Sequence, residues 1–120
     1  HLSGQGPRNN EGKPLTGQVP TDLSVDEAVL AARNVGLYTL VALQEAIGSL
    51  DRVEQVVRTF GMVNAAPGFT EHPRVIDGFS NLFIEVFGEK GRGARSAVGM
   101  SSLPFNIPVE VEITIKIKTG

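Results

Sequence analysis

Residues 109–118, VEVEITIKIK, constrain the fold more than any other stretch of the chain. Val109, Val111, Ile113, Ile115 and Ile117 alternate strictly with Glu110, Glu112, Thr114, Lys116 and Lys118. Successive side chains of a β-strand point to opposite faces, so this strand has one aliphatic face and one polar face. The aliphatic face must be covered by other apolar elements of the chain.

Two helices can supply that cover. Ser24-Val25-Asp26-Glu27 reads as a capping box, in which the Ser24 hydroxyl accepts from the Glu27 amide and the Glu27 carboxylate reaches back to the Ser24 amide. Asp26 and Glu27 also suit the positive end of a helix dipole. Val25, Val29, Ala32, Gly36, Leu40, Leu43 and Ile47 then recur three or four apart, which predicts a helix over 25–47 that Gly48 ends. Leu30, Leu37 and Val41 widen the stripe and imply cover on more than one side. A second helix is expected after Thr70, its candidate cap, with Glu71 and Pro73 near its start. Its stripe is Val75, Ile76, Phe79, Leu82, Phe83, Val86 and Phe87, and Gly88 closes it. Phe79, Phe83 and Phe87 are read as core, because they share that stripe with Leu82 and Val86.

The remaining elements are strands. In residues 52–64, Val53, Val57 and Val63 are expected on one face, and Val56, Phe60 and Met62 on the other, as in a strand packed on both sides. Residues 95–103 form another strand, joined by a turn over 104–108 to the last one. Leu2–Gln5 reads as the end of a strand, and the rest of residues 1–23 as extended loop, punctuated by Gly and Pro. The fold class is therefore α+β: a two-layer sandwich with both helices on one face of a mixed sheet. The other face carries Phe60, Met62, Glu110, Glu112 and Thr114. A mixed face of that kind, left open by the chain's own helices, invites another subunit.

At 120 residues the chain forms a single domain, residues 1–120. A net charge of −2 offers neither nucleic acid nor an anionic membrane an electrostatic reason to bind. With no cysteine there is neither a disulfide nor a thiolate metal site, which fits a reducing, cytoplasmic setting. His72, beside Pro73, lacks ligand-spaced partners and is expected to be exposed and inert, so no metal site is expected. No apolar run is long enough for a membrane span, and no signal peptide is visible. Gly88, Gly91 and Gly93 follow a helix, whereas the glycines of a phosphate loop precede one. The start at His1, within Gly- and Gln-rich sequence, suggests that the natural protein begins earlier, with a further first strand.

Residues 93–115, GARSAVGMSSLPFNIPVEVEITI, resemble the closing signature of the Rid (YjgF) family: Ala-Arg-Ser, a short strand, Leu-Pro, then alternating Val-Glu-Val-Glu. Ser3-Gly4-Gln5 with Pro7 resembles that family's Ser-Gly-Gln-x-Pro strand end, and the helix–strand–helix order between them agrees. The resemblance runs through essentially the whole chain and looks closer to a divergent branch than to the best-known enamine deaminases.

The resemblance implies a chorismate-mutase-like fold, assembled as a homotrimer whose sheets face inward, with pockets between subunits. It implies hydrolysis of small reactive enamine or imine acids, such as 2-aminoacrylate, to 2-keto acids and ammonia, with no cofactor. Position by position, Arg95 matches the arginine that grips the substrate carboxylate. Ala97 matches a backbone amide donor to the same group. Glu110 matches the glutamate that positions water and shuttles protons, and Ser3 and Gly4 match pocket-lining positions. Arg95 and Glu110 are expected on adjacent final strands, with Glu112 structural.

Three departures stand out. The strand that often supplies a pocket tyrosine is not in this sequence. Asp77 stands where many relatives carry asparagine, close enough to contact a ligand. The loop before Arg95 is one residue longer. Besides the hydrolase, two readings remain: a small-carboxylate-binding trimer, a sensor or chaperone without turnover, and a ribonuclease or translation-inhibitor activity claimed for some relatives, against which the acidic balance argues.

Overall fold

The structure, a computed structural model, describes residues 1–119. Helix α1 spans Val25–Ile47 and begins as its capping box requires. The Glu27 amide donates to Ser24 Oγ and the Ser24 amide to Glu27 Oε1, each at 3.1 Å. Helix α2 spans His72–Phe87. Its N-cap is Glu71, with no side-chain capping bond, so Thr70 does not cap it; Pro73 in the first turn presets the helical φ instead.

The strands β1 (Leu2–Gln5), β2 (Val53–Asn64), β3 (Ala94–Met100) and β4 (Val109–Ile117) form one sheet in the order β1-β4-β2-β3. β4 is antiparallel to both β1 and β2, while β3 runs parallel to β2. The two closing strands are therefore not neighbours: β2 lies between them. Local pattern identifies strands, but which strands pair depends on contacts remote in sequence.

Both helices cover one face. Val35, Phe79 and Phe83 pack there with Val109, Val111 and Ile113. Phe79 and Phe83 stack with ring centroids 4.6 Å apart. The two helices approach closely enough that a Cβ at Gly78 would stand 2.1 Å from the Val29 carbonyl oxygen. Leu30, Leu37 and Val41 are exposed, so the chain covers α1 on one side only; Val86 is exposed as well.

The expected faces of β2 are also corrected. Val56 is buried in the helix-covered core and Val57 is exposed. The register against β4 slips between Val53 and Gln55 and again between Val56 and Arg58. Each slip is a bulge that inserts one residue and reverses the alternation. Beyond the second bulge, Phe60 and Met62 lie opposite Glu112 and Glu110 on the open face. Met62 packs there with Leu103, Ile107, Phe60 and Met100. His72 is half-buried, its ring edge-on to Phe69 at 5.1 Å, so it is a packing residue and not a free one.

Candidate functional site

Arg95 is the second residue of β3, and its guanidinium reaches α2. Nη1 donates to Asp77 Oδ1 at 2.6 Å and to Ser80 Oγ at 3.3 Å. Asp77 and Ser80 are three residues apart and so share one face of the helix. Nε and Nη2 make no hydrogen bond among the described residues, which leaves the two-donor edge of the guanidinium open. The head group closes a polar cavity of about 210 Å³ with Thr59, Asp77, Ser80, Asn81 and Arg92.

Ala97 follows on the same side of β3. The Met100 carbonyl accepts from the Ala65 amide, so Met100 turns its backbone polar groups toward β2. Alternation along the strand then turns those of Ala97 outward, at the sheet edge, where no described strand flanks them.

Glu110 lies on β4 and faces the other way, into a cavity of about 240 Å³ lined with Gly4, Gly6, Arg8, Phe105 and Ile107. A Cβ at Gly4 would lie 2.8 Å from Glu110 Cδ, so the carboxylate occupies space that only glycine leaves open. Burial first, and the Glu112 carboxylate on the same strand face second, push the Glu110 pKa above the ordinary carboxylate value. A carboxyl group shifted that way can hold a proton and release it closer to neutrality.

The residues matched from sequence thus divide into two groups on opposite faces of the sheet. Arg95 and Asp77 line one cavity, Gly4 and Glu110 the other, and no residue lines both. Ser3 is exposed and lines neither, nor does Ala97, whose side chain packs on the core. The expectation of Arg95 and Glu110 on adjacent strands fails, because β2 separates their strands. Sequence reasoning missed Ser80, Arg8 and Phe105. The three-residue helical spacing from Asp77 could have pointed to Ser80, and the Pro104–Pro108 turn beside Glu110 to Phe105. Among the described residues no three His, Asp or Glu side chains are grouped as metal ligands. Among the described residues no helix is long and apolar enough to cross a membrane.

Comparison with known proteins agrees with this architecture. Residues 1–115 match the family described as "YjgF/chorismate_mutase-like, putative endoribonuclease". Protein TCP17 of Trypanosoma cruzi is 45% identical over 118 residues, which is 98% of this chain and 74% of that one. The crystal structure of Atu1372 from Agrobacterium tumefaciens, a protein described as of unknown function, superposes with a TM-score of 0.94 at 41% identity, covering 98% of this chain and 76% of that one. A Shewanella oneidensis structure described as a "putative endoribonuclease" gives 0.91 at 35% identity, covering 97% of this chain and 77% of that one. With this match over nearly its whole length and two helices on a mixed four-stranded sheet, the chain belongs to the YjgF/chorismate-mutase-like family, the Rid proteins.

Proposed function

We propose that the protein is a cytoplasmic homotrimer that hydrolyses small 2-imino or enamine acids to 2-keto acids and ammonia, in a pocket completed between subunits. The observation that carries this reading is the division of the site. A guanidinium with a free two-donor edge lies in a polar cavity on one face, and a carboxyl group of raised pKa lies in a more apolar cavity on the other. Neither cavity contains the other's partner. A second copy presenting its Glu110 cavity to the Arg95 cavity of the first would unite them, and the open face around Met62 and Phe60 offers the apolar surface for assembly.

In the completed pocket Arg95 grips the ligand carboxylate bidentately, and the outward Ala97 amide adds a donor. Carbon protonation of the enamine gives an iminium. Water adds to its carbon, and the C–N bond of the resulting aminol breaks to release ammonia as C=O forms and the hydroxyl proton passes to solvent, balancing the one taken up at carbon. Glu110 takes a proton from the attacking water and returns one to the departing nitrogen. Gly4 keeps that carboxylate in place. Ser3, exposed on β1, contacts ligand only if the neighbouring copy folds over it.

The Asp77–Arg95 pair favours a second reading, a carboxylate-binding trimer without turnover. Asp77 offsets the charge of Arg95, and an arginine compensated in this way attracts an anion less strongly than an uncompensated one. Family membership also supports an endoribonuclease-like role as an alternative; the net charge of −2 weighs against it.

The test generates a 2-imino acid in situ and follows its disappearance with wild type, with Arg95→Ala and with buffer. The hydrolase accelerates decay and Arg95→Ala does not. Ligand-induced stabilisation without acceleration would support the binding reading instead. A monomer by light scattering would remove the shared pocket, and cleavage of a labelled RNA would favour the nuclease.

A further inference from the structure

Phe105 is held in an uncommon state beside the Glu110 cavity. Its backbone has φ 57°, in the left-handed region, and Asn106 follows at φ 55°. Asparagine tolerates that region; a bulky aromatic residue does so only under strain. The turn is tied down from three sides. The buried Asn64 side-chain Nδ2 donates to Asn106 Oδ1 at 3.0 Å and to the Ile107 carbonyl at 3.1 Å. The Gly17 amide donates to the Asn106 carbonyl at 2.8 Å, and the Asn106 amide to the Leu103 carbonyl at 3.0 Å. The result is a phenyl ring that is 83% exposed yet carried on a fixed backbone.

That ring lines the cavity with Pro104, Ile107 and the glycines of the β1 end. Arg8, at the same cavity, has its guanidinium 4.9 Å from the centroid of the Tyr38 ring and is engaged there. The wall around Glu110, which Gln5 also joins, is therefore more apolar than the wall around Arg95. A ligand bound between them meets a carboxylate grip at one end and an apolar surface at the other.

We propose that Phe105 is a specificity residue: it forms the wall against which the ligand's side chain packs, so the site prefers carboxylates with aliphatic or aromatic side chains over the smallest ones. This rests on the shared Arg95–Glu110 pocket proposed above. The left-handed conformation aims the ring, and the Asn64–Asn106 bond keeps it there.

The experiment titrates the full-length protein with pyruvate, 4-methyl-2-oxopentanoate and phenylpyruvate. Wild type is expected to bind the two larger acids roughly tenfold or more tighter than pyruvate, as burial of several additional carbons requires. Phe105→Gly removes the ring and suits the backbone, so it should melt no lower than wild type and lose the preference. Phe105→Leu, which keeps an apolar wall, should retain it. An absent preference in wild type, or its persistence in Phe105→Gly, overturns the proposal. So does dissociation of the oligomer on Phe105→Gly, which would assign the ring to subunit contact. Arg95→Ala separates the two levels. If it loses all three acids while Phe105→Gly changes nothing, only the role of Phe105 falls. If it binds them as wild type does, or if wild type binds none, the shared pocket falls and this proposal with it.

Discussion

Gly4 and Glu110 fit one another across the β1–β4 pair: a Cβ on Gly4 would stand 2.8 Å from both Cδ and Oε2 of the carboxylate. The absent side chain on one strand sets where the acid on the next can sit. Gly4→Ala should push the Glu110 head group aside. Because that head group is the mobile end of a side chain, stability should fall by about 1 kcal/mol or less. A misplaced catalytic group is costlier, and imine hydrolysis should drop about 100-fold. Parallel thermal melts and kinetic assays check this; an unchanged rate would detach Glu110 from the chemistry.

Asp77 shares Arg95 with whatever anion enters. Asp77→Asn keeps an acceptor for Nη1 but removes a negative charge beside the ligand. The affinity for pyruvate should rise roughly threefold to tenfold, and the gain should shrink with added salt. The pair is partly exposed, so the change in stability should stay within about 1 kcal/mol. Isothermal titration at two salt concentrations measures both effects.

The raised pKa of Glu110 has a consequence for stability. Between the ordinary carboxylate pKa of the unfolded chain and the raised value of the folded one, the folded state holds more protons. Stability contributed by this group is therefore intact below that window and declines as pH rises through it. Glu110→Gln should remove this decline, leaving a flatter profile and a relative gain above the window. Urea denaturation across the acidic to neutral range reads it, and identical profiles for the two proteins would contradict the shift.

Gly78 tests the packing of the two helices. Its substitution by alanine would bring a Cβ to 2.1 Å from a backbone oxygen of α1, an atom that cannot rotate away. Gly78→Ala should cost about 1–3 kcal/mol despite alanine's better helix propensity. The urea midpoint measures this, and a stabilised variant would show that the helices separate freely.

The elements read most faithfully from the residues are those made by near neighbours. The start of α1 follows from Ser24 and Glu27, three residues apart, and the inner face of β4 from strict alternation. The faces of β2 are not legible from alternation because its bulges depend on the register with β4, about sixty residues away. The candidate site residues came only from family resemblance; Arg95, Asp77, Glu110 and Gly4 line cavities, while Ser3 does not. For Ser80 and Phe105 the sequence offers only weak local signals, the helical spacing from Asp77 and the turn before Glu110, and the cavity each lines is set by packing between distant segments.

By itself, then, the chain's residue order determined two amphipathic helices, an alternating closing strand and one open sheet face, because periodicity and capping act over a few residues. Tertiary structure alone decided that β2 separates β3 from β4 and, through the register that pairs Arg95 with Thr59 and Glu110 with Met62, that Arg95 and Glu110 look out from opposite faces. The physical reason is that strand order and side-chain direction arise from burial and backbone pairing between distant segments, which local pattern does not encode.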